Sequence, residues 1–317
     1  MTKIQETSKK IRDEVCKVFK GDDDTVHKIL ACFFSGGHVL LEDVPGTGKT
    51  VLAKAIAKAS GLSFSRIQCT PDLMPSDITG SSVWIPSENK FEFRAGPVQS
   101  SVLLVDELNR ATPRTQSALL ECMAEGQISV DGEKHVLPKP FFVICTENPV
   151  ESEGTFPLPE AQKDRFMMCV SMGYPTEADE AEIITAQKCL THPVENINAV
   201  VSKDDIISCM EEAVDIHVDE AVLKYLIDLT RETRKDSRIA AGVSPRGSVA
   251  LYKACQAYAA IKGRGFVTPE DIKHLAKYVF RKRLILTTDS ILKSFSVDNM
   301  ISELIERVPL PDFKAHI

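Results

Sequence analysis

The sequence lacks the features that mark several classes of protein. No apolar run approaches the roughly 18 residues that a membrane-spanning helix needs. The first ten residues contain no apolar segment of the kind that a signal peptide carries. Gly and Pro, at 16 and 17 of 317 residues, are too few for a collagen-like or low-complexity chain. With 43% hydrophobic residues the chain is too apolar to be disordered. We therefore expect a globular cytoplasmic protein without a membrane span.

An excess of positive charge is absent as well. The 38 Lys and Arg residues are outnumbered by 45 Asp and Glu residues, for a formal net charge of -7. Because nucleic-acid phosphates are bound by clustered Lys and Arg, this balance predicts that nucleic acid is not a partner. The basic run Arg281-Lys282-Arg283 is too short to reverse the balance. We expect its charged heads to reach solvent at a helix end.

Closely spaced cysteine pairs are missing too. The nine cysteines are odd in number, and no two have CxxC spacing. This pattern argues against a zinc site and against a disulfide framework. We expect reduced thiols that pack as small core residues.

Short apolar runs alternate with helical patterns over the first half of the chain. The runs are nearly continuous in Val, Ile, Leu and Phe, which is typical of strands buried on both faces. Helical patterns at 48–60 and 113–125 separate some of them. The alternation predicts an α/β fold with a parallel sheet covered by helices. The five runs span residues 38–44, 64–70, 102–106, 141–146 and 166–172.

Helical periodicity dominates after Pro175. Thr268, with Pro269 after it and Asp271 three residues on, is a typical helix start. A prior of about 150 residues per domain suggests two domains. We predict an α/β domain at 1–174, which begins with helices over 8–34, and an all-helical domain at 175–317.

The strongest local motif follows the first predicted strand and opens the first helix after it. Its tail, GTGKT, is that of a phosphate-binding P-loop, although Asp43 stands where the motif has its first Gly. Glycines let backbone N–H groups turn towards phosphate oxygens. Lys49 would reach the β- and γ-phosphates, and Thr50 would ligate Mg²⁺. The candidate nucleotide-binding residues are Asp43, Pro45, Gly46, Thr47, Gly48, Lys49 and Thr50.

A second motif ends the strand predicted at 102–106. Four apolar residues lead into Asp106 and Glu107, which would lie at the carboxyl edge of the sheet, where α/β proteins bind ligands. Asp106 can hold a metal ion. Glu107 can orient and deprotonate an attacking water.

Together these blocks resemble the MoxR family of AAA+ ATPases over residues 36–284. The similarity is most specific at 103–130, which resembles the family's Walker B block, at 140–166, its sensor 1 block, and at 242–247, its sensor 2. The resemblance implies a P-loop NTPase αβα core followed by a helical lid. It also implies ATP and Mg²⁺ as cofactors.

The resemblance assigns further catalytic roles. Asn148 would be sensor 1, Arg165 the arginine finger that reaches a neighbouring subunit, and Arg246 sensor 2. Arg110 and Arg114 are alternatives for the finger. Glu147, where the family usually has Gln, either alters nucleotide affinity or faces solvent at a strand end.

Two predicted hairpins resemble the inserts of one AAA+ branch. One lies within 71–100, where Phe91 and Phe93 alternate with polar residues, and the other turns at Asp131-Gly132 within 127–137. In related machines such hairpins contact the client protein. Trp84, the only Trp, either packs within the first hairpin or contacts a client.

The resemblance implies a ring, which we expect to be a hexamer. Its ATP hydrolysis would remodel a client protein, with a von Willebrand factor A domain protein as partner. A nucleotide-gated assembly module with little turnover is one alternative, which Asp43 and Glu147 favour. A chelatase-like or helicase-like AAA+ motor is another, and the net negative charge argues against the helicase.

Overall fold

The computed structural model describes residues 2–44, 46–148, 154–186, 188 and 191–311. Its central sheet has five parallel strands in the spatial order β2-β5-β8-β1-β9. All five predicted strands are confirmed. They are β1 (Val39–Glu42), β2 (Phe64–Gln68), β5 (Val102–Asp106), β8 (Phe142–Glu147) and β9 (Met168–Val170).

The apolar runs of the other four strands are continuous because helices cover both faces of the sheet, whereas the prediction of a strand buried on both faces is wrong for β2, an edge strand in which only Ile67 is buried. Every residue of β5 and β8 is buried. Successive side chains of β1 enter different cores: Leu41 packs in the apolar cluster that contains α3 (Lys49–Ala59), and Leu40 in the cluster that contains α5 (Pro113–Glu125). The parallel strands therefore bring their carboxyl ends to one edge of a sheet that is sandwiched between helices.

Both predicted hairpins are present. The first comprises β3 (Gly80–Ile85) and β4 (Lys90–Ala95) after the short helix α4 (Pro75–Thr79), and the second comprises β6 (Gln127–Val130) and β7 (Glu133–Val136). Asp131 and Gly132 have φ of 51° and 83°, as a two-residue turn of this kind requires. The rings of Phe93 and His135 stack with centroids 3.9 Å apart, which joins the hairpins.

Helices dominate the C-terminal part, and one short antiparallel strand pair accompanies them. Ser202, Ser244 and Thr268 cap their helices through side-chain oxygens. α6 (Glu160–Lys163) precedes β9. The others are α7 (Glu177–Ala186), α8 (Lys203–Val214), α9 (Glu220–Lys235), α10 (Pro245–Ile261), α11 (Pro269–Phe280), α12 (Thr288–Leu292) and α13 (Val297–Arg307), with strands β10 (Ile239–Ala241) and β11 (Ile285–Leu286).

The N-terminal helices α1 (Lys3–Val15) and α2 (Asp23–Phe34) contact both halves of the chain. They share an apolar cluster with α3 and with α8, α10 and α11. The Ile4 N–H donates to Glu212 of α8 at 3.0 Å, and the Tyr258 hydroxyl of α10 donates to Asp24 at 2.6 Å. The predicted boundary at 174/175 lies in the connection between β9 and α7.

The described helices include none that is both long and apolar enough to span a membrane. Seven of the eight described cysteines are buried, so they are core residues. Cys189 lies outside the described residues.

Candidate active site

The loop between β1 and α3 is shaped by two glycines in the left-handed region. Gly46 and Gly48 both have φ of 86°, a conformation that is strained for other residues, and α3 begins directly after Gly48. The N–H groups of that first turn lack helical partners, and the helix dipole places positive charge there, so this end of α3 favours an anion. The Thr47 hydroxyl donates to the Val44 carbonyl at 3.2 Å. Pro45 lies outside the described residues.

Lys49 lies along this loop. Its Nζ donates to the Asp43 carbonyl at 2.5 Å. Burial lowers the pKa of Lys49, whereas the carboxylates of Asp43, Asp106 and Glu107 oppose that change. The ammonium group is thus held by a backbone carbonyl, in the field of three carboxylates and next to the anion-favouring end of α3.

A cleft of about 340 Å³ opens between the loop and the carboxyl ends of β2, β5 and β8. The structure brings many of the predicted site residues together there. Its lining contains Gly46, Gly48, Lys49, Thr50, Asp106, Glu107 and Asn148, together with Val51, Arg66, Gln68 and Thr146, which we did not predict.

Asp106 is buried at the bottom of this cleft and faces hydroxyl and cationic groups. The Thr50 hydroxyl lies 3.5 Å from one of its carboxylate oxygens, and the Thr146 hydroxyl donates to the other at 3.3 Å. Arg66 Nε donates to the carboxylate at 2.6 Å. The hydroxyl and carboxylate oxygens of Thr50 and Asp106 suit Mg²⁺, which takes few protein ligands besides phosphate and water. The chemistry of this donor pair therefore fits the metal.

Glu107 has a strained backbone and a restrained carboxylate. Its φ of 56° is rare for a residue other than Gly and is held by a hydrogen bond from its N–H to the Thr146 hydroxyl at 2.9 Å. The carboxylate accepts from Gln68 Nε2 at 2.9 Å and from Arg110 Nη1 at 3.2 Å. Glu107 is thereby placed at the mouth of the cleft, and Arg110 is engaged within its own subunit.

The residues on β2 carry a signal that sequence reasoning could have used. Arg66 and Gln68 are two residues apart on a strand, so their side chains share one face. They lie at the carboxyl end of the neighbour of β5, with Gln68 paired in register with Asp106. Polar residues at two alternate positions of an apolar run therefore marked the side that faces the cleft.

Asp43 points away from the cleft. Its buried carboxylate accepts from the Ser171 hydroxyl at 2.8 Å and from the N–H groups of Met172 and Gly173 at 2.6 and 3.1 Å. These three residues begin the connection from β9 to α7. The residue that replaces the first glycine of the motif thus ties the loop to the start of the C-terminal part.

Glu147 is buried at the end of β8, so the solvent-facing alternative is wrong. Thr146 and Asn148, on either side of it, line the cleft, and alternation directs Glu147 to the other face of the sheet. Burial raises the pKa of Glu147, and Lys282 opposes the rise.

A second cavity of about 200 Å³ adjoins the loop at Gly46–Gly48. It is mostly apolar, and its walls come from the segment after α1, from the loop and α3, from the connection after β9, from α7 and from residues 192–193. Because these segments are distant in sequence, no local pattern could have predicted it. The lining includes Val18, Phe19, Val51, Met172, Gly173, Ile183 and His192.

The described lining of the cleft does not include the two predicted catalytic arginines. Arg165 is half-buried, and its Nη1 donates to the Leu120 carbonyl at 2.8 Å. Arg246 is exposed in the first turn of α10. Either residue would therefore reach a bound nucleotide only after a conformational change of its own chain, or at the site of a different subunit.

The prediction that the basic run reaches solvent is wrong. The Arg283 side chain is only 4% exposed. Its charge can be buried because it pairs with the Asp164 carboxylate and donates hydrogen bonds to several backbone carbonyls, which compensate for the lost hydration. Lys282 pairs with Glu42. Arg281 lies nearer the surface, 3.4 Å from Asp298.

Comparisons with known proteins agree with this geometry. Residues 38–168 match the family model described as "ATPase family associated with various cellular activities (AAA)", and residues 231–301 match the model of the AAA lid domain. The crystal structure of a protein from Cytophaga hutchinsonii, assigned as an ATPase, superposes with a TM-score of 0.91 at 35% identity. That match covers 98% of this chain and 96% of the other.

Two curated relatives span nearly the same length. The chain is 42% identical to the uncharacterized protein YeaC of Bacillus subtilis, over 94% of this chain and 93% of YeaC. It is 38% identical to the chaperone MoxR1 of Mycobacterium tuberculosis, over 95% of this chain and 82% of MoxR1. With its P-loop core, its helical lid and these relatives, the chain belongs to the MoxR family of AAA+ ATPases.

Proposed function

We propose that this protein hydrolyses ATP and uses the energy to remodel a client protein. The observation that carries the hydrolysis is the convergence of three segments at one edge of the sheet. The loop with Lys49 and Thr50, the acidic pair Asp106 and Glu107, and Asn148 all line one cleft.

ATP would bind across the two adjoining cavities. The phosphates would accept from backbone N–H groups at the start of α3, and the base would enter the apolar cavity beside Gly46–Gly48. Lys49 would exchange the Asp43 carbonyl for phosphate oxygens. Thr50 and Asp106 would hold Mg²⁺, which neutralises negative charge on the β- and γ-phosphates.

Glu107 would activate the attacking water. The water oxygen bonds to the γ-phosphorus, its proton passes to the Glu107 carboxylate, and the bond to the bridging oxygen of ADP breaks. Asn148 would orient the water or a γ-phosphate oxygen. Arg246 would contact the phosphates when the lid closes.

Arg165 would serve a neighbouring subunit, because in its own subunit it bonds to α5 outside the cleft. An arginine supplied in this way implies a head-to-tail interface, which closes into a ring, and we propose a hexamer. A planar guanidinium stabilises the charge that spreads over the γ-phosphate oxygens in the transition state.

The paired hairpins would contact the client. Trp84 and Phe91 form an edge-to-face pair with ring centroids 5.1 Å apart and remain 43% and 69% exposed. Trp84 therefore packs within its hairpin and also presents apolar surface. The chaperone name of one relative supports a protein client, and the family resemblance suggests a partner with a von Willebrand factor A domain.

The orientations of Asp43 and Glu147 weaken the alternative of a nucleotide-gated module with little turnover. That alternative depended on negative charge near the phosphates. Asp43 instead binds residues 171–173, and Glu147 is buried on the opposite face of its strand.

Lys49→Met tests nucleotide binding directly. A hydrogen bond to a charged group contributes about 1.5–3 kcal/mol, so we expect ATP affinity to fall roughly ten- to hundredfold. Titration calorimetry with MgATP measures the change, and turnover of the wild-type protein is assayed in parallel. Lys54→Met, about one and a half turns further along α3, is the matched control. Unchanged affinity in Lys49→Met, or a wild-type protein without turnover, would contradict the proposal.

Asp43→Gly distinguishes two roles for the residue that departs from the P-loop motif. If the carboxylate merely repelled phosphate, the restored glycine would tighten ATP binding. Because the carboxylate holds Met172 and Gly173 at the wall of the apolar cavity, we expect ATP binding to weaken by about tenfold, the equivalent of one charge-assisted hydrogen bond, since only part of the energy of the three lost bonds affects the nucleotide. The dissociation constants of wild type, Asp43→Gly and Asp43→Asn decide between the two, with Asn expected in between.

A further inference from the structure

We propose that Arg283 of the lid is a positioning residue for the arginine finger, so that the lid of one subunit sets the reactivity of the next subunit's site. The proposal rests on the role proposed above for Arg165. It concerns residues 164–167, which include Arg165 and are bonded to two residues of the lid, Ser244 and Arg283.

All five N–H donors of Arg283 are satisfied, and four of the five bonds reach this segment. Nε donates to the Asp164 carboxylate at 2.6 Å, and Nη2 donates to the carbonyls of Asp164 and Phe166 at 3.0 and 2.7 Å. Nη1 donates to the Met167 carbonyl at 3.1 Å and to the Val279 carbonyl of α11 at 2.6 Å. The guanidinium thus fixes the backbone on both sides of Arg165 to the end of α11.

Asp164 connects the same segment to a second point of the lid. Its other carboxylate oxygen accepts from the Ser244 hydroxyl at 3.0 Å, and Ser244 caps α10, whose first turn contains Arg246. A Cβ at Gly247 would lie 2.8 Å from Arg283 Cδ, so the first turn of α10 packs directly on the Arg283 side chain. Two lid elements therefore meet at one carboxylate beside the finger.

Burial makes this junction stiff. Asp164 and Arg283 form an ion pair with the Arg283 side chain almost fully enclosed, and removal of one partner would leave an unpaired charge. A rotation of the lid against the sheet must therefore either carry residues 164–167 with it or break several bonds at once. Closure of the lid over nucleotide in one subunit would in this way move the Arg165 guanidinium, which acts at the site of the next subunit.

The test mixes subunits that carry different defects. Arg283→Lys keeps the charge but loses the planar fork. We expect kcat to fall by about 10²-fold, as displacements of about 1 Å can cause, with KM for ATP unchanged within about twofold because the subunit's own site is intact. When Arg283→Lys is mixed with an equal amount of Glu107→Gln, about half of the Arg283→Lys subunits have a Glu107→Gln neighbour. That neighbour supplies a correctly positioned Arg165, so we expect about half the wild-type rate per Arg283→Lys subunit.

Two further mixtures and one further variant give the controls. Arg165→Ala with Glu107→Gln should also regain activity, and its failure would overturn the finger assignment rather than the role of Arg283. Arg246→Met with Glu107→Gln should stay inactive, because that arginine would act on its own site. Arg281→Lys, at the half-buried neighbour of Arg283 that bonds to none of residues 164–167, should behave as wild type throughout.

The positioning role is overturned if Arg283→Lys is as active as wild type. It is also overturned if the variant is slow and gains nothing from Glu107→Gln while Arg165→Ala does. Thermal unfolding and ring assembly are measured for each variant. Should Arg283→Lys not fold, Asp164→Asn, which keeps an acceptor for Ser244, enters the same mixtures with the same expected recovery.

Discussion

Replacement of Glu107 by Gln is expected to lower kcat for ATP hydrolysis by about 10²–10⁴-fold, the range of a general base. Gln keeps the size and can still accept from Gln68 and Arg110, but it cannot take a proton from water. ATP should bind as tightly as in wild type, because Lys49, Thr50 and Asp106 are untouched. Steady-state turnover and titration of MgATP measure the two quantities separately.

Glu121→Gln, an exposed carboxylate on α5, is the matched control and should leave turnover unchanged. A Glu107→Gln protein with more than a tenth of the wild-type rate would show that another group activates the water. The same variant should hold its client in the presence of ATP, since the bound state no longer decays. Retention that is the same with and without ATP would argue against nucleotide-driven remodelling.

Arg165→Ala should cause the larger loss, about 10³–10⁵-fold in kcat, as expected for an arginine finger. The loss comes from the neighbouring site, so ATP binding to the variant itself should be unaffected. Wild-type turnover per subunit should also rise with protein concentration as rings assemble, because each site needs a partner. Turnover is therefore measured over a dilution series for both proteins.

Arg110→Ala and Arg114→Ala decide among the candidate fingers. Arg110 already contacts Glu107 of its own subunit, so its loss should slow that subunit and should not be repaired by mixing with Glu107→Gln. Arg114 is exposed and should matter little. A greater loss from Arg114→Ala than from Arg165→Ala would move the finger to α5.

Most of the sheet could be predicted from the sequence because its signals are local. The run 102–106 and the helix 113–125 are observed with the predicted bounds, since a buried strand and a capped helix each carry their pattern within a few residues. The turn at Asp131-Gly132 is equally local, because the backbone there needs residues that tolerate positive φ.

The predicted cleft residues also carry local signals. The pattern identifies the strands that precede Gly46–Thr50 and Asn148 and the strand that ends at Asp106. Because parallel strands end at one edge of a sheet, these residues come together there. Arg66 and Gln68 were missed because the interpretation of residues 64–70 as a strand buried on both faces disregarded the polar residues at alternate positions. The apolar cavity was missed because segments that are distant in sequence build it.

The sequence by itself determined that this chain has a phosphate-binding loop, an acidic strand end and a parallel sheet that brings them together. Only the tertiary structure decided what the charged residues outside these motifs do. Asp43 binds residues 128 to 130 positions away, and Arg283 pairs with a carboxylate 119 positions away. The physical reason is that a charged side chain is buried only where partners compensate for its lost hydration. Tertiary packing brings those partners together from distant parts of the chain, so no short-range pattern in the sequence predicts them.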